Sequence, residues 1–229
     1  MLVKEKKDRK VKNMKPILFN TEMVKAILEG RKTTTRRIAK WQRREEFINN
    51  NLSQCVADKY GNDAYSLHQK IGDCWNEITH PLKPDYKSGD ILYVREAWAL
   101  YEDEYIYRAD SVLLDDWYRA CWHPSIHMPK KAARLFLKVT DVRIERLQNI
   151  SNDEIINEGV RPGIVKHYEN QMPYEETENI RYAHEIAFAD LWNSTIKTGD
   201  YDLYSWEANP WVWVIEFERI SKEAAYGKS

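Results

Sequence analysis

Lys32 and Thr35, three residues apart between Gly30 and the pair Arg36-Arg37, are the side chains best suited to chemistry in this chain. A desolvated lysine titrates below its ordinary value, and its neutral amine can take the proton of a neighbouring hydroxyl, which turns a threonine into a nucleophile. The two share a face only if the backbone turns between them. The alternative is a solvated basic connector, a common fate of cationic loops. Glu158 is a third candidate. It stands last in a helix, so its carboxylate faces the negative end of the helix dipole, which tends to raise its pKa and suits a group that takes and returns a proton near neutral pH. An exposed glutamate without a role is the other reading. Arg37, Arg95, Glu96 and Trp98 are candidate substrate-lining residues, since an arginine donates in a fork to a base carbonyl and a tryptophan stacks on the ring. For Arg95-Glu96 a surface ion pair is equally consistent. His127, in Ser125-Ile126-His127-Met128-Pro129, is a further candidate contact from a lid. The stretch Cys121-Trp122-His123-Pro124-Ser125-Ile126-His127 spaces two histidines as a helical zinc site would. Pro124 and Pro129 argue against a helix, and no second Cys or His pair stands at a finger-like distance, so no metal site is expected.

The elements that must hold these groups are legible in part. Asn20 caps a helix with Glu22 in its first turn and Met23, Ala26 and Ile27 on its apolar face, and Gly30 closes it. The β-branched run after it reads as loop passing into strand. Residues 40–85 are irregular and read as an insertion. Lys87-Ser88-Gly89-Asp90 is a turn that leads into a strand from Ile91 to Val94, and Tyr105 to Ala109 reads as another. From Ala133 to Leu147, Leu135, Leu137 and Val139 alternate with Phe136, Lys138 and Thr140, then Val142, Ile144 and Leu147 follow, a long strand with one buried face. Ser151-Asn152-Asp153-Glu154 is a capping box, and the helix it opens ends at Gly159. A longer amphipathic helix runs from about Glu175 to Thr195 with Ile180, Ala183, Ala187, Leu191 and Trp192 on its core face. Trp211 to Ile220 is a strand buried on both faces early and on one face later. The order helix, strands, helices, strand suggests an α+β protein, a small mixed or antiparallel β-barrel with flanking helices.

Composition narrows the classes. The 229 residues carry 35 Lys and Arg against 36 Asp and Glu, a net charge of -1, so the overall field does not announce a polyanionic partner. Nine Trp and 14 Tyr supply core volume and flat surfaces on which a base can stack. No apolar run approaches the roughly 20 residues of a membrane span. No signal-like segment is read at the start, and Cys55, Cys74 and Cys121 suggest no disulfide framework, so a cytoplasmic protein without membrane association is expected. Residues 1–13 read as a disordered lysine-rich arm, with Met14 a candidate initiator, residues 14–220 as one domain, and 221–229 as a tail.

Four motifs in order carry a resemblance. They are Gly30-x-Lys32-x-x-Thr35-x-Arg37, then Lys87-x-Gly89-Asp90-Ile91-Leu92-x-Val94-Arg95, then Leu147 through Glu158-Gly159, and Trp213-Val214-Ile215-Glu216-Phe217. Over about residues 14–220 the chain resembles ASCH-domain proteins of the PUA-like superfold, and is similar to phage-type members. The resemblance implies a PUA-like barrel with a cleft for a nucleobase or nucleoside, and no cofactor. Small amidohydrolases of this family that cleave N4-acetylcytidine carry a Lys, Thr and Glu catalytic set, which matches Lys32, Thr35 and Glu158. Thr35 is then the nucleophile and Lys32 its activator, or Lys32 and Glu158 activate a water while Thr35 binds the acyl oxygen. The same fold implies, as alternatives, a non-catalytic RNA- or modified-base-binding module, or a ribonuclease using Lys32, His127 and Glu158.

Overall fold

Short strands and helices follow one another along the chain, and side-chain caps open helices Thr21–Leu28, Asn152–Asn157 and Lys222–Ala225. The structure, a computed structural model, describes residues 14–43, 55–60, 64–71, 74–77, 82–113, 121–171 and 177–227. The expected arm at 1–13 lies outside them. Among the described residues the strands are β1 (Lys15–Leu18), β2 (Thr34–Ile38), β3 (Cys55–Tyr60), β4 (Ala64–Ile71), β5 (Cys74–Glu77), β6 (Ile91–Arg95), β7 (Trp98–Tyr101), β8 (Glu104–Tyr107), β9 (Phe136–Arg146) and β10 (Trp211–Ile220). Five of them form a mixed sheet in the order β1-β6-β9-β10-β2, β3-β4-β5 form a three-stranded sheet, and β7-β8 form a hairpin. With its helices this is an α+β architecture. No closed barrel forms among the described residues, because the five-stranded order ends at β1 on one side and β2 on the other. Strand β1 went unread in the sequence because it has four residues and contains Pro16. A proline cannot donate to the ladder and is tolerated on a terminal strand, here paired in parallel with β6.

The chain divides into two compact units, each assembled from separated stretches: Met1–Thr33, Ser88–Thr140 and Glu216–Ser229 in the first, Thr34–Lys87 and Asp141–Ile215 in the second. In the first, helix Thr21–Leu28 begins as expected, with the Asn20 side chain accepting from Met23 N–H at 2.9 Å, and ends at Gly30 with φ +76°. The β7-β8 hairpin turns through Glu102 and Asp103, both at positive φ, the twist that a two-residue connection needs. The strand expected over 105–109 stops at Tyr107, where the chain enters the 3-10 turn Arg108–Leu113. The core of this unit gathers Met14, Met128, Ala132, Ala133, Phe136 and Ala225. Ala225 belongs to helix Lys222–Ala225, capped by Ser221, in the stretch expected to be a tail.

The second unit contains the stretch expected to be irregular. Strand β4 was illegible there because Ala64, Tyr65, Ser66 and Leu67 are all buried, so no apolar alternation shows and a buried serine interrupts the run. Helix Asn152–Asn157 has the capping box that its sequence promises: Ser151 Oγ accepts from Glu154 N–H and Glu154 accepts from Ser151 N–H. Helix Thr177–Asn193 buries Ala183, Ala187 and Trp192 as expected, whereas Ile180 is exposed. These side chains join Leu147, Ile150, Ile155, Val160, Phe188, Val212 and Val214 in one core. Strand β9 begins at Phe136, after the 3-10 turn Lys130–Ala132, rather than at Ala133. Its buried side switches phase at the consecutive exposed residues Thr140 and Asp141, from Leu137 and Val139 to Val142 and Ile144. Among the described residues no helix is long and apolar enough to cross a membrane.

Candidate functional site

The stretch from Gly30 to Arg37 is not a solvated connector. Arg31 and Lys32 N–H both donate to Ala26 O, at 2.9 and 3.1 Å, which folds the chain back over the end of helix Thr21–Leu28. Lys32 is 3% exposed, with Nζ 5.5 Å from the centroid of the Phe19 ring, and Phe217 packs on the same ring. A ring face attracts an ammonium, so Phe19 partly offsets the cost of removing Lys32 from water. Lys32 and Thr33 close the first unit. The chain then enters the second unit as β2, where Thr34, Thr35 and Arg36 are all buried.

Within the second unit Arg36, in the sequence part of a basic loop, meets several carboxylates. Its side chain is 0% exposed. Nη1 donates to Glu158 Oε1 at 3.2 Å, and Nη2 lies 3.2 Å from Glu154 Oε2 and 3.6 Å from Glu145 Oε2. Arg143 pairs in turn with Glu145 and Glu154, and its Nη1 lies 3.7 Å from Asp141 Oδ2. A guanidinium so thoroughly desolvated needs carboxylates around it, and two elements supply them: β9, and helix Asn152–Asn157 with its C-cap. A signal for this exists in the sequence. Successive strand residues point to opposite faces, so Arg36 shares a face with Thr34 and Ile38, and an arginine among buried neighbours calls for an acidic partner.

Glu158 is 5% exposed and occupies the C-cap of its helix, as expected. Its neighbour on the other side of the alternation is Arg37. Burial pulls the Arg37 guanidinium below its ordinary value, against the opposing pull of Tyr86 and Glu158. Glu158 is therefore addressed by arginines that leave β2 on opposite faces. Thr35, Arg36, Arg37 and Glu158 all belong to the second unit, and Tyr86 is a neighbour that the sequence did not single out.

The other candidates lie in the first unit and are engaged with protein. Arg95 Nε donates to Met128 O at 3.0 Å, and its Nη2 donates to Ile126 O, which fastens the 3-10 turn Ser125–His127 and leaves His127 exposed on it. Glu96 accepts from Arg134 with both oxygens, each at 2.9 Å, and the guanidinium also reaches Asp110 and lies 3.9 Å over the Tyr107 ring. This ion pair is buried on the Glu96 side rather than at the surface, and burial raises the Glu96 pKa in spite of Arg134. Trp98 meets the rings of His123 at 4.7 Å and Tyr105 at 5.6 Å. His123 bridges to β7 through paired backbone hydrogen bonds with Trp98.

What the arrangement offers chemically is a buried ammonium and a buried hydroxyl three residues apart in the chain, and a carboxylate fixed by a buried arginine. Comparison with protein-family models, with curated proteins and with solved structures finds no match to this chain.

Proposed function

We propose that the protein is an amidohydrolase that removes the acyl group from N4 of acylated cytosine nucleosides or bases. The observation that carries this reading is the burial of Lys32, Thr35 and Glu158, at 3, 4 and 5% exposure. Charged and hydroxyl side chains are seldom withdrawn from water without a partner or a task, and these three are the positions that match the Lys, Thr and Glu set of the amidohydrolases the chain resembles. The PUA-like fold and a place in the cytoplasm belong to the same proposal, and the mixed sheet with its helices supports only its α+β part.

Hydrolysis requires addition of an oxygen to the acyl carbon, cleavage of the C–N4 bond and a proton for the departing amine. Lys32, as the neutral amine, takes the proton from the attacking hydroxyl, that of Thr35 or of a water. The C–N4 bond then breaks, N4 receives the proton and cytidine leaves, together with the carboxylic acid when water is the attacker. If Thr35 attacks, water releases the acyl group from its Oγ in a second step. Glu158, held as an ion pair with Arg36, relays the proton.

The test is release of cytidine from N4-acetylcytidine, followed by chromatography, for wild type and for Lys32→Ala with its fold checked by circular dichroism. Wild type is expected to release cytidine and the variant to release none. No release by folded wild type, or full activity in the variant, overturns the reading.

A second reading, an RNA-binding module, is favoured by Lys130 over Tyr93 at 5.6 Å and Lys131 over Tyr105 at 5.9 Å, which pair cations with stacking surfaces. It requires RNA retention that falls with added salt along a slope of several ions.

A further inference from the structure

Resting on the hydrolase reading, we infer that Arg36 is a positioning residue: its guanidinium sets the orientation of Glu158, and through Glu158 the proton transfer, without touching the substrate. The geometry is specific. Arg36 and Glu158 are 122 positions apart, and Nη1 reaches Oε1 at 3.2 Å with the arginine fully buried. On the other side of the fork Nη2 makes no hydrogen bond but lies at ion-pair distance from Glu154 and Glu145, 3.2 and 3.6 Å, and those two carboxylates are held by Arg143. Arg36 is thereby braced from β9 and from the first turn of helix Asn152–Asn157, while it grips the residue that caps the last turn of the same helix. A glutamate has three rotatable bonds, and at the end of a six-residue helix its carboxylate would sample several positions. Contact with a braced guanidinium selects one. Lysine at position 36 would keep the charge but not the planar fork, so it would hold Glu158 without also spanning Glu154 and Glu145.

A side chain that only stabilised the fold would, when replaced, lower the amount of active protein and leave the turnover of the folded fraction alone. A positioning residue changes turnover itself. The experiment compares wild type, Arg36→Lys and Arg36→Gln for kcat and KM on N4-acetylcytidine, and follows the carbon-13 resonance of the Glu158 carboxyl, assigned by its loss in Glu158→Gln. In Arg36→Gln, kcat is expected to fall about 100-fold with KM little changed, and the Glu158 resonance to shift. Arg36→Lys, which keeps a cation among the carboxylates and so keeps the protein folded, is expected to recover about tenfold of that loss. Unchanged kcat in either folded variant, or an unmoved Glu158 resonance, overturns the inference. If wild type releases no cytidine, the hydrolase reading fails by itself. The resonance then decides the structural half: a shift supports Arg36 as the group that holds Glu158, and no shift overturns it.

Discussion

Glu154 and Glu96 carry the same functional group to opposite ends, and the difference is one of solvent and partners. For Glu154, burial works to raise the pKa, but the Ser151 N–H bond and the charges of Arg36 and Arg143 outweigh it and hold the carboxyl below its ordinary value. For Glu96, 1% exposed, desolvation wins even over two hydrogen bonds from Arg134, and its pKa rises. A carboxylate whose folded value lies below its unfolded value contributes stability that is present above the unfolded value and is lost as pH falls through the folded one. Glu154 therefore makes the protein lose stability in acid. Urea midpoints measured from about pH 6 to about pH 3 should fall less steeply in Glu154→Gln than in wild type. Equal slopes would mean that Arg36 and Arg143 do not favour its charged form.

At the level of elements, the local signals held and the long-range ones did not show. Gly30 ends helix Thr21–Leu28 at φ +76°, and a Cβ built there meets nothing within 4 Å. Replacing it with alanine costs only the left-handed backbone, so Gly30→Ala should lower stability by about 1 kcal/mol, read as a shift in the urea midpoint. A loss several times larger would point to a clash that the geometry does not contain. The caps at Asn20 and Ser151, the exit at Gly159 and the two-faced burial of β10 were legible because each depends on neighbours within a few positions. The Arg36 web was not. Its parts are a basic loop, a strand with alternating charges and a capping box, each complete as a local motif, and only the pairing of Arg36 with Glu145, Glu154 and Glu158 turns them into one network. Likewise Arg95 and Glu96 read as substrate-lining residues or a surface ion pair until Met128 and Arg134 occupy them. Strand β4 hid for a different reason, burial on both faces with Ser66 inside.

For the whole molecule, each compact unit is built from separated stretches, and β9 and β10 each run through both, changing unit at Thr140–Asp141 and Ile215–Glu216. A strand cannot lose its ladder at one end without loosening it at the other. Urea unfolding should therefore give one transition, coincident by near- and far-ultraviolet circular dichroism; two separated transitions would show that the units unfold independently. The same interleaving has a consequence in time. At roughly 5–20 residues per second, a ribosome needs roughly 6–24 s to go from Arg36 to Glu158, which stand 122 positions apart. For most of that interval, until Glu145 and then Glu154 are made, the nascent chain carries a cation destined for full burial without its carboxylates. The candidate site is thus assembled late in synthesis.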